Sequence, residues 1–102
     1  MKRIVTETDF LKAFREFGRD EAWTKSGLRA LYEYLTELER NTGEGIELDV
    51  VALDCEYAEY GTAIEAARDC GLEVNDEGEA LEELQNLTTV IEFDGGLIIQ
   101  QI

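Results

Sequence analysis

The side chains in this sequence that could do chemistry are almost all carboxylates. Its 102 residues include 24 Asp and Glu, no histidine, and two cysteines, Cys55 and Cys70. Without histidine the chain lacks the commonest general base and the commonest zinc ligand. A cysteine nucleophile would want such a base beside it. Two cysteines do not make a disulfide framework and read as two small reduced thiols. Paired acids can hydrolyse glycosides across a cleft. With 24 acids some pair always looks suitable, and a chain this short has little room for a deep cleft of its own. No Gly-rich phosphate loop and no Ser–His pair is present. Glu73, Asn75, Glu77 and Gly78 follow the spacing of an EF-hand loop. Glu73 stands where such a loop begins with Asp, however, and Leu84 where it ends with Glu. These patterns assign no catalytic residue, no metal ligand and no cofactor, and a non-enzymatic protein is expected.

The distribution of the acids says more than their number. Between Glu44 and Glu83 stand fourteen carboxylates and one base, Arg68. Ile46, Leu48, Val50, Leu53, Tyr57, Tyr60, Ile64, Leu72, Val74, Leu81 and Leu84 run through the same stretch, so it reads as a folded surface made negative, not an acidic tail. Residues 1–40 hold eight bases against eight acids, whereas residues 41–102 hold one base against sixteen acids, and the net charge is −15. Solubility needs a net charge of only about 2–8 in magnitude, and self-repulsion costs stability. The asymmetry therefore points to a charged partner. Nucleic acid and anionic membrane are negative and are disfavoured as direct partners.

Carboxylates at high density on a rigid fold can stand in for a nucleic-acid backbone, since duplex DNA carries one negative charge per ~1.7 Å of axis. The candidate residues for such a surface are Glu47, Asp49, Asp54, Glu56, Glu59, Glu65, Asp69, Glu79, Glu82 and Glu83. Tyr57 and Tyr60 would add aromatic anchors. A partner with a Lys/Arg-lined groove would be attracted over a long range. The bland reading is a solvated acidic face with no specific role. A separate reading is an adaptor or assembly subunit that recognises its partner through apolar surface around Trp23.

The elements that must position these residues follow from periodicity and punctuation. The length indicates one domain, and there is no proline, linker or repeat. Phe10, Ala13, Phe14 and Phe17 predict a first helix over 7–17, ended by Gly18. Trp23 lies in a charged connection and is expected to fold back over the core. Ser26 is expected to cap a second helix, ending near Arg40, with Leu28, Leu31, Tyr32, Leu35 and Leu38 as its apolar stripe. Gly45 to Leu53 alternates in part and reads as a strand whose second half is buried on both faces. The stretch 54–61 reads as an acidic, aromatic loop. Thr62 and Glu65 open a third helix that stops at Gly71, and a fourth covers about 79–85. Thr89 to Phe93 and Leu97 to Ile102 form a hairpin around Asp94-Gly95-Gly96. Lys2 to Thr6 reads as a short strand or a lead-in. The expected fold is α+β, a small antiparallel sheet of about three strands packed against three to four helices. The last strand could form a sheet edge at which a second copy pairs into a homodimer. No apolar run approaches the ~18 residues of a membrane span, and no signal-peptide core opens the chain, so a cytoplasmic protein is expected.

Gly27-Leu28-Arg29-Ala30-Leu31-Tyr32-Glu33-Tyr34-Leu35, Asn41-Thr42-Gly43-Glu44, Ile46 to Leu53, Glu56-Tyr57-Ala58-Glu59-Tyr60 and the ending Thr89-Val90-Ile91 through Gly95-Gly96 to Gln100 are spread over residues 27–100 of the chain. In these stretches it resembles small acidic proteins of phages and other mobile elements. The resemblance implies a phage or prophage context and a role as an inhibitor of host defence, anti-restriction or anti-CRISPR, of the DNA-mimic kind. It assigns no individual residue.

Overall fold

The computed structural model describes residues 6–46 and 48–101. Among them are five helices and a three-stranded antiparallel sheet, an α+β fold. The first helix, α1 (Glu7–Glu16), starts at Thr6, whose hydroxyl accepts from the Asp9 N–H while Asp9 accepts from the Thr6 N–H. That reciprocal cap satisfies two donors a helix start leaves open. Of its apolar residues, Phe10 and Phe14 are buried, but Phe17 is 63% exposed. The second helix, α2 (Lys25–Thr42), buries Leu28, Leu31 and Leu35, and Gly43 ends it in the left-handed region at φ 73°. It is capped by Thr24, not Ser26: the Thr24 hydroxyl accepts from the Gly27 N–H at 2.9 Å.

No strand forms among the described residues of the 45–53 stretch. Asp49 instead accepts from the Ala52 N–H and caps a short helix, α3 (Val50–Glu56), which buries Val50 and Leu53 one turn apart. The chain then runs straight into β1 (Tyr57–Tyr60), within the stretch expected to be a loop. Thr62 caps α4 (Ala63–Asp69), and Asp76 caps α5 (Glu77–Leu87). The hairpin β2 (Val90–Phe93) and β3 (Gly96–Gln100) closes the fold.

The strand order is β1-β3-β2, so β3 is central. The expectation that the last strand forms a free edge for a second copy is therefore corrected: both of its sides are already paired. The possible strand at 2–5, Glu47 and Ile102 lie outside the described residues.

Register assigns each side chain to a face. Ile98 stands opposite Glu59 and Ile91, and Ile99 opposite Ala58 and Val90. Because neighbours on a strand point to opposite faces, Ile98 joins a core built with Phe10, Phe14, Trp23, Leu31, Leu35, Leu53 and Tyr57. Leu97 and Ile99 join a second core with Ala63, Ala66, Ala67, Val74, Ala80 and Leu84. The sheet is thus the middle layer, with α1, α2 and α3 on one face and the α4–α5 pair on the other. The doubly buried strand is β3, whose continuous Leu97-Ile98-Ile99 run suits two apolar faces.

Candidate interaction surface

Layering turns the charge asymmetry of the sequence into a spatial one. Residues 6–43, which build α1 and α2, hold eight acids and six bases, net −2. Residues 62–88, which build α4 and α5, hold eight acids and Arg68, net −7. The inward faces of α4 and α5 are Ala63, Ala66, Ala67 and Ala80, whose short side chains let the helices lie close, together with the larger Leu84. Their carboxylates are left on the outer surface. Glu65, Glu82 and Glu83 are exposed, and their carboxylates have no hydrogen-bond partner among the described residues. Asp69 is exposed and accepts from the Tyr60 hydroxyl at 2.6 Å. Burial first, and the Asp69 carboxylate second, push the Tyr60 phenol up to about 12. Asp69 also adds to burial in raising the Cys70 thiol, the opposite direction from an activated nucleophile. Tyr60, Asp69 and Cys70 line a hollow of about 430 Å³ together with Leu87, Ile99 and Gln101.

The other sequence-derived candidates do not join this surface as free charges. Asp54 is half-buried; it accepts from Trp23 Nε1 at 2.8 Å and from Arg19 Nη1 at 3.3 Å. Glu59 accepts from the Thr24 N–H at 2.9 Å and the Thr24 hydroxyl at 3.1 Å, at the start of α2. Glu56 accepts from Gln100 Nε2, and Asp49 caps α3. Glu79 accepts from the Asn75 N–H at 3.3 Å. Tyr57 is 5% exposed and packs edge-on to Tyr34, so it belongs to the core and cannot anchor a partner. Trp23 is 8% exposed, so its own side chain offers little apolar surface to a partner. Glu47 lies outside the described residues. The surface that remains is Glu65, Asp69, Glu82 and Glu83, with Tyr60 beside it and Glu79 at its margin.

The turn that follows EF-hand spacing is occupied otherwise. Glu77 accepts from the Ala63 and Ile64 N–H groups and so caps α4 from the neighbouring helix, while Asp76 caps α5. Among the described residues no group of three or more Cys, Asp or Glu side chains is placed to hold a metal ion. No described helix is long and apolar enough to cross a membrane.

Two features were not drawn from the sequence. Ala30, Glu33, Tyr34 and Glu37 of α2 face Ile91, Glu92, Phe93 and Asp94 across a groove of about 460 Å³. Glu33 and Glu37 stand one turn apart on α2, and their meeting with β2 is a tertiary event. Lys12, Arg15, Lys25 and Arg29 line a hollow of about 280 Å³ between α1 and α2. Arg29 pairs there with Glu7 at 3.1 Å and Lys12 with Glu16 at 3.8 Å. The hollow collects four of the seven lysines and arginines among the described residues, which helps to leave the α4–α5 side so negative. No family model, curated protein or solved structure matches this chain.

Proposed function

We propose that this protein is a non-enzymatic inhibitor that binds a basic, nucleic-acid-handling host-defence protein and blocks its nucleic-acid site. The observation that carries this reading is the α4–α5 layer, where Glu65, Glu82 and Glu83 stand exposed and unpaired with one arginine in the whole segment. Acids one helical turn apart, such as Glu65/Asp69 and Glu79/Glu83, sit about 5–6 Å apart at Cβ. That spacing is coarser than the charge spacing of duplex DNA along its axis, ~1.7 Å with both strands counted, so two helices side by side are needed to approach it. Their backing by the alanine-rich core holds the charges on regular secondary structure. Tyr60, half-buried at the edge of this layer, is the aromatic contact that remains once Tyr57 is assigned to the core. The sequence resemblance to anti-restriction and anti-CRISPR proteins of mobile elements agrees with this reading, and a cytoplasmic place of action in a bacterial host belongs to it.

The test is affinity capture from a bacterial lysate on the immobilised protein, with elution by a salt gradient. A captured basic protein is then titrated with duplex DNA in the presence and absence of the inhibitor. The proposal expects release at moderate salt and mutual exclusion with DNA. A captured protein that holds DNA and this chain at once, or that stays bound in high salt, overturns it.

A further inference from the structure

We infer that the groove between α2 and the outer edge of β2 receives an extended, Lys/Arg-bearing segment of a partner protein, which adds to the sheet as a fourth strand. The groove opens on the sheet face opposite the α4–α5 layer, so its test stands or falls separately from the mimicry reading.

Three observations converge on this site. The first is an open backbone edge. β2 has β3 on one side and no strand on the other among the described residues. The Gln100 N–H donates to the Thr89 carbonyl at 3.0 Å. Together with the Val90–Ile99 register, this fixes the phase of the ladder. Ile91 and Phe93 bond to β3, and Val90 and Glu92 turn their N–H and C=O groups outward. The second is the space beside that edge. A strand added there sends alternate side chains into the groove of about 460 Å³, whose walls are Tyr34, Ile91 and Phe93. The third is charge. The groove's ionisable lining residues are Glu33, Glu37, Glu92 and Asp94, with no base among them, and the Glu92 side chain alternates to the sheet face opposite Ile91 and Phe93, beside the open edge.

This combination selects one occupant. Sheet edges are commonly protected by lysine, proline or a bulge, and none of these protects β2. Its carboxylates instead oppose a second copy of the chain, because edge-to-edge pairing of β2 would bring like charges together. They also repel nucleic acid and anionic lipid. A strand with arginine or lysine at alternate positions lays its aliphatic stems on Phe93 and Tyr34 and carries its cations to Glu33 and Glu37. Main-chain bonds to Val90 and Glu92 supply the pairing, and the acidic rim supplies the choice of sequence.

The probe is a capped hexapeptide of alternating arginine and valine, titrated into the full chain and followed by amide chemical shifts. Saturable shifts are expected at residues 90–94 of β2 and along the 30–37 face of α2. The same peptide N-methylated on alternate amides keeps its charge but cannot complete the ladder, and it is expected to lose this pattern. E33Q/E37Q, which removes two charges from an exposed helix face, is expected to weaken binding by about tenfold at most. Shifts spread over α4 and α5, equal binding of the methylated peptide, or no saturable binding would each overturn the inference.

Discussion

The Glu59 carboxylate in β1 occupies the space where a side chain on Gly27, in the first turn of α2, would begin. From there it accepts two hydrogen bonds from Thr24, the residue that caps the same helix. Alanine normally stabilises a helix relative to glycine by about 1 kcal/mol, yet here its methyl group evicts the carboxylate. The two effects oppose each other and are coupled. Gly27→Ala is expected to be neutral or destabilising in the native chain, and stabilising by up to about 1 kcal/mol when combined with Glu59→Ala. Urea denaturation of the four proteins of this cycle measures the difference, and strict additivity would remove Glu59 from the helix start.

Trp23 and Asp54 hold the two ends of the first core together. The indole N–H donates to Asp54 Oδ1 at 2.8 Å, while its ring packs edge-on to Phe14 at 5.8 Å. Asp54→Ala leaves that N–H without its acceptor and is expected to cost about 1–3 kcal/mol. Asp54→Asn keeps an acceptor and is expected to cost less. Neither substitution should alter partner binding, because Asp54 contributes to the fold and not to the free acidic surface. Denaturation midpoints, together with the capture assay, separate these outcomes.

What the sequence made legible was local. The helices that run up to Gly18, Gly43 and Gly71 were found close to their places, because caps and left-handed stops act within a few residues. The hairpin around Asp94-Gly95 was legible for the same reason. The expected α2 cap missed because Ser26 and Thr24 are both good candidates, and the choice falls to Thr24, where Glu59 arrives from 35 residues away. The stretch 45–53 misled through its β-branched residues. Val50 and Val51 favour a strand in isolation, but Asp49 caps a helix that buries Val50 and Leu53 and leaves Val51 41% exposed. β1 has no strand signature of its own, since Tyr-Ala-Glu-Tyr becomes a strand only by pairing with β3. For the candidate surface, the excess of acid was plain in the sequence. Which acids are free was not, because the partners of Asp54, Glu59 and Glu77 all lie at least 13 residues away.

The free acids on the α4–α5 layer can be reversed without touching a hydrogen bond. Glu65→Lys, Glu82→Lys and Glu83→Lys together take the formal net charge from −15 to −9. Self-repulsion falls, so the melting temperature of the triple variant is expected to stay level or rise by a few degrees. Partner binding is expected to be abolished. A folded triple variant that still binds and still excludes DNA would show that the layer is only solvated. A variant that unfolds would show that these side chains do structural work absent from their contacts.

Two tyrosines make the fold sensitive to alkali. Burial pushes the Tyr57 phenol up to about 12, with smaller contributions from Glu56 and Tyr34. Burial followed by the Asp69 hydrogen bond does the same for Tyr60. In the unfolded chain both phenols titrate near the ordinary value of 10.0. A raised folded value means the native state holds the proton longer than the unfolded state does. The stabilisation is therefore complete below pH 10 and is lost as pH rises toward about 12. Urea denaturation across that window is expected to show stability falling, with tyrosinate absorbance appearing together with unfolding. Tyr60→Phe removes one of the two groups and the hydrogen bond to Asp69. Its curve is expected to start lower at neutral pH and to fall less steeply in alkali. A slope unchanged by Tyr60→Phe would mean that the Tyr60 proton is not held by the fold, and that Asp69 is as free for a partner as Glu65, Glu82 and Glu83.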